Sequence, residues 1–128
     1  MSILIEEVSL AAVTNVTIDE KGRHSRTFRF PAGFVGFGGH FPDQAILPGV
    51  VQLVAAQNVA QNGPAADKVL KRVENAKFLL RIGPKEDVCV SCRFSQKGNE
   101  TVAETRVECN RGVAALFNLV YSTGSEES

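Results

Sequence analysis

The chain has 128 residues, enough for one domain with one hydrophobic core and too few for two ordinary domains. Hydrophobic residues make up 44% and charged residues 22% of the chain, as in soluble globular proteins. The 14 basic and 14 acidic residues balance, which argues against a nucleic-acid-binding protein, because such proteins normally carry a clear basic excess.

The N-terminal segment and the cysteines indicate where the protein resides. The opening sequence MSILIEEVSL lacks the basic and long apolar regions of a secretory signal, and no run reaches the ~18 apolar residues of a membrane helix. We therefore expect a cytoplasmic protein. An odd number of cysteines (Cys89, Cys92 and Cys109) without a secretory signal indicates reduced thiols.

The first third of the chain is predicted to be mainly β-structure. The segment SLAAVTNVTIDEKG (9–22) is rich in β-branched residues and ends at a glycine turn. The segment HSRTFRF (24–30) alternates, which places Phe28 and Phe30 on one face. The next segment, PAGFVGFGG (31–39), is too rich in Gly and Pro for a regular element and is predicted to be a loop.

A buried helix is predicted to follow Pro48 and Gly49. The segment VVQLVAAQNVAQN is strongly apolar, and Gly63-Pro64 ends it, so the helix has about 14 residues and a length of roughly 21 Å. Its apolar residues cover more than one face, so we expect most faces to be buried. Its polar residues are uncharged amides: Gln52, Gln57, Asn58 and Gln61.

The second half of the chain is predicted to be four strands. The segment KVLKRVENAKFLLRI (68–82) is typical of a strand, with or without a bend. Three evenly spaced strands joined by tight turns follow it and predict an antiparallel meander. Alternation places two sets of residues on single faces: Val88, Val90, Cys92 and Phe94 in one strand, and Val113, Ala115, Phe117, Leu119 and Tyr121 in the last.

These elements predict an α+β protein with a curved antiparallel sheet wrapped around one long central helix, an architecture known as the hot-dog fold. We expect a single domain over residues 1–122 and a disordered C-terminal tail over residues 123–128. Such sheets usually dimerise edge to edge, because pairing removes an exposed strand edge.

Cys89 and Cys92 form a C-x-x-C pattern, which raises the possibility of a metal site. The surrounding sequence EDVCVSCRFSQ alternates as a strand does, and residues three apart on a strand point to opposite faces. Two thiols on opposite faces cannot share a zinc ion, so we predict no metal site and interpret both cysteines as strand residues.

The stretch GHFPDQAILPGVVQL (39–53) resembles the signature of 3-hydroxyacyl-acyl-carrier-protein dehydratases of bacterial fatty acid synthesis. The segment ILPGVVQL is similar in particular to the branch tied to aryl polyene and related pathways. Elsewhere the agreement is looser but in the same order, and AKFLLRIGPKEDVCV is similar to a strand, turn and strand of that family.

The resemblance implies a substrate held as a thioester on the phosphopantetheine arm of an acyl carrier protein or coenzyme A, with no metal or redox cofactor. His40 would be the base that removes the α proton, and the Gly49 N–H would bind the thioester carbonyl. Elementary chemistry supports both roles. Histidine titrates near neutral pH, and a helix N-terminal N–H stabilises the developing enolate oxygen.

The sequence departs from the family pattern at Val54. The family places a Glu or Asp fourteen residues after the histidine, where it protonates the departing hydroxyl. Losing a positioned acid typically costs on the order of 10²–10⁴ in rate. Gln52 and Gln57 can donate hydrogen bonds but not protons. Asp43 is either a displaced acid or a turn residue, and we favour the turn.

Three functions therefore remain open. The chain is a dehydratase-like enzyme whose acid is displaced or comes from a partner hot-dog chain, a non-catalytic subunit that binds a carrier protein or supports a partner, or an acyl thioesterase. We expect a homodimer or a heterodimer with another hot-dog chain. The candidate catalytic residues are His40 and Gly49, and the candidate substrate-binding residues are Phe34, Phe37, Phe41, Pro48 and Val54.

The phenylalanine-rich loop and a second histidine complete the candidates. Phe34, Phe37 and Phe41 are interpreted as core packing or as apolar walls of an acyl tunnel. His24 lies in the polar run KGRHSR and is predicted to be a surface residue.

Overall fold

The computed structural model describes residues 2–34 and 46–123. The described residues form two helices and six strands: α1 (Ser2–Leu10), β1 (Thr17–Ile18), β2 (His24–Arg29), α2 (Gly49–Ala60), β3 (Lys68–Phe78), β4 (Asp87–Lys97), β5 (Glu100–Cys109) and β6 (Gly112–Thr123). None of the described helices is long and apolar enough to cross a membrane.

The six strands form one antiparallel sheet with the order β1-β2-β4-β5-β6-β3. The predicted meander β4-β5-β6 is confirmed, and Gly98, with φ of 60°, makes the tight turn between β4 and β5. Strand β3 returns to pair with β6 and lies at one edge of the sheet, while β1 lies at the other. The predicted α+β architecture, with a curved sheet around a helix, is confirmed.

The helix α2 lies against the inner face of the sheet and forms the centre of the core. It begins after Pro48, whose extended backbone precedes the first turn, and its buried residues are Val51, Gln52, Ala55, Ala56, Val59 and Ala60. These residues pack against alternate residues of the strands, including Val90, Cys92 and Phe117. The small Ala side chains let sheet and helix approach closely, and the inward positions predicted for β4 are confirmed.

The N-terminal segment differs from the prediction of β-structure. Residues Ser2–Leu10 form the helix α1, and the only strand described before residue 24 is the two-residue β1. The β-branched residues favour a strand locally, but Leu4 and Val8, four residues apart, lie on one helical face against the core. Tertiary packing against α2 therefore overrides the local preference.

Strand β3 is irregular, which agrees with the bent one of the two forms left open for this segment. Its register against β6 shifts between Leu70 and Arg72 and again between Glu74 and Lys77. In the second shift Asn75 adopts a φ of 56°, in the left-handed region that asparagine tolerates better than most residues. The shifts bend this edge strand and change the direction of its side chains.

The prediction that His24 lies on the surface is wrong. Only 8% of His24 is exposed, because β2 places the ring against the edge of Phe94 with a centroid separation of 5.1 Å. The ring atom Nδ1 lies 3.1 Å from the Gly22 carbonyl oxygen. The polar neighbours in sequence concealed this position, because alternate residues of the strand point in opposite directions.

The predicted C-terminal boundary falls at the end of the last strand. Strand β6 extends through Thr123, one residue beyond the predicted domain limit, and residues 124–128 lie outside the described part of the chain.

We predict that Gly63→Ala destabilises the fold because the space next to Gly63 is filled by His24. A Cβ at position 63 would lie 2.7 Å from Cδ2 and 2.8 Å from Nε2 of the His24 ring. We expect a loss of about 1–3 kcal/mol of unfolding free energy, measured by urea denaturation. Gly33→Ala is the matched control, because a Cβ there has no neighbour within 4 Å among the described residues.

The same substitution in a His24→Ala background provides the internal test of this prediction. Removing the ring should remove most of the cost of Gly63→Ala, because the clashing atoms are gone. An equal cost in both backgrounds would contradict the steric explanation.

Candidate functional site

The helix α2 begins at Gly49, directly after Pro48, where the sequence places its start. The N–H groups of Val51 and Gln52 point back to the Pro48 carbonyl oxygen at 3.1 Å and 3.3 Å. The N–H groups of the first residues of a helix have no intrahelical acceptor, and the helix dipole favours negative charge next to them. Gly49 is the first helical residue, so its N–H is one of those without an acceptor inside the helix.

A concave region of about 540 Å³ adjoins this helix end, and we call it the helix-start cavity. Six of the residues that line it are Ile46, Pro48, Gly49, Gln52, Phe78 and Arg81. Its walls are mainly apolar, with one cationic side chain from Arg81. The predicted residues Pro48 and Gly49 therefore lie together in one cavity, at the end of a helix.

The ring of Phe78 covers Gly49. A Cβ built on Gly49 would lie 3.0 Å from Cζ and 3.2 Å from Cε1 of Phe78, so only glycine allows this approach without displacing the ring. Phe78 ends β3, is 50% exposed, and its ring centroid lies 6.3 Å from that of Phe117. Phe78 has no role that can be inferred from the sequence, although it lies in the segment AKFLLRIGPKEDVCV, which is one of the points of resemblance.

Gln52 holds the chain that leads into the helix. Its Nε2 donates to the Leu47 carbonyl oxygen at 3.3 Å, and the Leu47 N–H donates to the Ile82 carbonyl oxygen at 2.7 Å. Gln52 is only 4% exposed, which explains why a neutral amide occupies this position: an ionised side chain would bear a large desolvation cost. Gln52 therefore fixes the start of α2 and is not placed as an acid.

Val54 lies on another face of α2, in a second concavity of about 360 Å³ that we call the helix-side groove. Six of its lining residues are Ile5, Val50, Leu53, Val54, Leu70 and Val73. The other lining residues are amides, so no carboxylate lines the groove among the described residues. The expectation that α2 is buried on most faces holds for the sheet side, whereas Val50 is 50% exposed along this groove.

The remaining predicted residues are distributed as follows. His40, Phe37, Phe41 and Asp43 lie outside the described residues. Phe34 is 3% exposed, and its ring centroid lies 4.8 Å from that of Phe30, so it is a core residue. Phe34 is not among the described residues that line the helix-start cavity or the helix-side groove.

The two cysteines of the C-x-x-C pattern lie on opposite faces of β4, as predicted. Cys92 points into the core, where its Sγ lies 3.5 Å from Thr105 Oγ1, whereas Cys89 is on the outer face. Among the described residues, no three His, Cys, Asp or Glu side chains are grouped closely enough to hold a metal ion. Burial raises the pKa of the Cys92 thiol to about 11, so it is a poor ligand at neutral pH.

Solved structures identify the architecture as the hot-dog fold. One chain of the dehydratase heterocomplex ApeI:P from Xenorhabdus doucetiae superposes with a TM-score of 0.73 at 19% identity, covering 87% of this chain and 96% of that one. The E. coli PaaI protein from the phenylacetic acid degradation operon gives 0.69 at 15% identity, with coverages of 94% and 92%. A hypothetical thioesterase from Streptococcus pneumoniae, solved with coenzyme A, gives 0.71 at 8% identity, with coverages of 95% and 94%.

A family model matches the chain and assigns it more narrowly than the fold does. The model described as ApeI dehydratase, of the ApeI-like family, matches residues 16–115. The chain therefore belongs to the ApeI-like dehydratase family. The 3-hydroxyacyl-acyl-carrier-protein dehydratase FabZ of Streptococcus suis is 23% identical over 128 residues, covering 94% of this chain and 81% of that protein. The same enzyme of Streptococcus thermophilus is 25% identical over 134 residues, with coverages of 94% and 82%.

We predict that the stability of the protein falls in alkaline solution because of Cys92. Its folded-state pKa of about 11 exceeds the ordinary value of 9.0, so the folded state holds its proton more tightly than the unfolded chain does. The unfolding free energy should therefore fall as pH rises from 9 towards 11, by about 1 kcal/mol between pH 8 and pH 10.

Urea denaturation at several pH values measures this effect, with Cys92→Ala as the comparison. The variant should be less stable throughout but lose less stability between pH 8 and pH 10. Burial also raises the pKa of Tyr121, and the charge of an ionised Cys92 raises it further, so Cys92→Ala removes part of the Tyr121 contribution together with that of the thiol. An identical pH dependence of the two proteins would show that the Cys92 thiol does not ionise differently on folding.

Proposed function

We propose that this chain binds a 3-hydroxyacyl thioester at the start of α2 and is the histidine-bearing subunit of a dehydratase whose acid comes from a partner chain. The observation that carries the proposal is the contrast along α2. The helix start keeps Gly49 in an apolar cavity, whereas the position of the acid is Val54 in a groove without a described carboxylate.

The thioester carbonyl would accept a hydrogen bond from the Gly49 N–H. Such a donor stabilises the enolate that forms when the α proton leaves, because negative charge then develops on that oxygen. The apolar walls of the helix-start cavity, including Phe78, exclude water and strengthen the interaction. The covering of Gly49 by Phe78 implies that the ring moves when a thioester enters.

His40 is proposed as the base that takes the α proton. The proposed reaction removes that proton and the β-hydroxyl as water, which leaves a trans-2-enoyl thioester. These steps transfer protons and involve no redox cofactor.

The substrate would be carried on the phosphopantetheine arm of an acyl carrier protein or on coenzyme A. The names of the FabZ relatives support the first, and the coenzyme A in the thioesterase structure supports the second. We expect the reaction in the cytoplasm.

The β-hydroxyl needs a proton to leave, and Val54 cannot provide one. In a two-chain site the acid would come from the partner's central helix, so a partner with a carboxylate at the corresponding position would complete one site. The heterocomplex named in the Xenorhabdus doucetiae structure supports an assembly of two different hot-dog chains.

The helix-side groove and the free edge of β3 form the surface on which we place the partner. Ile5, Val50 and Val73 line the groove and are 54%, 50% and 37% exposed, and Val69 on the same edge is 50% exposed. Apolar groups at this density beside an unpaired strand edge are typical of an interface. The partner we propose is a second hot-dog chain. When the protein is purified without another hot-dog chain, a second copy of this chain takes that place and forms a homodimer.

A non-catalytic binding subunit is the second candidate, and Val54 favours it. Such a subunit would hold an acylated carrier or support a partner without turnover. The thioesterase alternative has less support, because a carboxylate that could activate water is missing from the described lining of both cavities.

Restoring the acid tests the proposed site. We predict that Val54→Glu hydrates a short enoyl thioester faster than the wild-type protein, by on the order of 10²-fold or more. The rate is measured as the loss of the ultraviolet absorbance of the conjugated double bond. The amides of Gln57, Asn58 and Gln61 line the same groove and can donate hydrogen bonds to the new carboxylate. Val50→Glu is the matched control, since it adds the same charge to the same groove one turn earlier, and light scattering on both variants checks that the added charge leaves the dimer intact.

The gain must depend on the predicted base. Val54→Glu combined with His40→Ala should return to the wild-type rate. A similar gain of hydration activity in Val50→Glu, or a gain that persists without His40, would contradict the proposed roles. If the wild-type protein turns over and His40→Ala does not, the acid lies elsewhere in the protein. If no variant has activity, the proposed site is contradicted and only the fold assignment remains.

The proposed interface makes a separate prediction about mass. Val73→Asp should shift the purified protein from dimer to monomer, because it buries a charge against the partner; light scattering measures the mass. Leu116→Asp is the matched control, because Leu116 is also 37% exposed but lies on the outer face of the sheet. A monomeric wild-type protein, or equal effects of both substitutions, would contradict this interface.

A further inference from the structure

The outer face of the sheet, remote from α2, carries a basin of about 260 Å³ that the proposed chemistry does not use. We call it the outer-face basin. Six of its lining residues are Arg23, Asn75, Lys77, Arg106, Leu116 and Asn118. Glu104, Thr105 and Phe117 also line it, so the basin combines three cationic side chains, one carboxylate, two amides, one hydroxyl and two apolar side chains.

Strand register explains why the cations converge. Ser91 in β4 pairs with Arg106 in β5, Arg106 pairs with Leu116 in β6, and Leu116 pairs with Lys77 in β3. Neighbouring strands are about 4.8 Å apart, so this row crosses four strands within the reach of long side chains. Arg23 reaches the same row, because its Nη1 donates to Ser91 Oγ at 3.0 Å.

The positive charge of this row is not neutralised within the described residues. Among residues 2–34 and 46–123, no carboxylate forms an ion pair with Lys77 or Arg106. The acid that lines the basin, Glu104, lies 3.3 Å from Arg93 of the neighbouring strand. The basin therefore has a positive excess, although the whole chain has a net charge of zero.

The irregularity of β3 shapes one wall of the basin. Glu74 pairs with Asn118 and Lys77 pairs with Leu116, so Asn75 and Ala76 together stand opposite a single residue of β6. This bulge includes the left-handed Asn75, a conformation that costs free energy in a regular strand. It places the Asn75 amide beside Lys77 at the rim.

We propose that the outer-face basin binds a phosphate ester with an apolar body, such as the nucleotide end of coenzyme A or a free nucleotide. Guanidinium, ammonium and amide groups are the donors that phosphate oxygens accept from, and the guanidinium fork fits them two at a time. Leu116, which is 37% exposed, provides an apolar surface for the remainder of the ligand. The proposal is independent of the proposed function, because the basin is on the face of the sheet opposite α2.

Titration with adenosine 3′,5′-bisphosphate tests the proposal, with inorganic phosphate and adenosine as separate probes. Calorimetry should give a tighter Kd for the bisphosphate than for phosphate alone, and affinity should fall with added salt. Amide resonances of residues 75–77, 105–106 and 116–118 should shift. Arg106→Gln and Lys77→Gln should each weaken binding by about tenfold or more.

Arg29→Gln is the matched control, because Arg29 is an exposed arginine on β2 that is paired with Asp87 rather than lining the basin. It should leave the Kd unchanged. Equal loss in Arg29→Gln, no shift at residues 116–118, or tight binding of adenosine without phosphate would overturn the proposal. An acidic peptide that binds as tightly as the bisphosphate would also overturn it, because the basin would then select ligands by negative charge and not by the phosphate group.

Coenzyme A as a further probe distinguishes the two sources of the phosphate ester. Binding of coenzyme A that is weakened by Arg106→Gln and is tighter than that of the bisphosphate supports a pantetheine-bearing ligand. Equal affinities support a free nucleotide. Bisphosphate binding that is insensitive to Arg106→Gln, while Val54→Glu still gains hydration, would overturn the basin proposal and leave the proposed helix-start site unaffected.

Discussion

The close contact between an uncharged helix and the concave face of one sheet governs the rest of this structure. Helix α2 can lie so near the strands because its sheet-facing residues are small or neutral, with Ala55, Ala56 and Ala60 beside the buried amide of Gln52. A charged residue on that face would have to be desolvated without a partner, at a cost of several kcal/mol. The same closeness brings the end of β3 onto the start of α2, where Gly49 meets Phe78.

The sequence predicted those elements whose patterns repeat over many residues. Strands β4 to β6 alternate clearly and are joined by glycine turns, and the helix is bounded by Pro48-Gly49 and Gly63-Pro64, so their positions agree with the structure. Helix α1 was not predicted, because its Ile and Val residues favour strands and only the contact with α2 stabilises the helical form. His24 was misplaced for a related reason, since its polar neighbours say nothing about the Phe94 ring that covers it.

The candidate site was only partly predictable from local sequence. Pro48 and Gly49 carry a recognisable motif, and their position at the helix start follows from it. Phe78 lies about thirty residues further along the chain, and no local pattern indicates that its ring reaches Gly49; sheet order and the bulges of β3 bring them together. The sequence also does not predict that the groove beside Val54 is exposed in the single chain, because an apolar helix face has the same pattern whether a sheet or a partner chain covers it.

The sheet order has a consequence for how the chain is made. Strand β3 follows α2 directly, but its described neighbour is β6, the last strand, some fifty residues later. During synthesis from the N-terminus, the apolar helix and this strand leave the ribosome well before β6 exists to pair with them. The nascent chain therefore exposes Val50, Val69 and Val73 next to an unpaired backbone until β6 has been synthesised. In the proposed dimer, a second hot-dog chain would meet that edge while it is still open, so assembly would begin before this chain has finished folding.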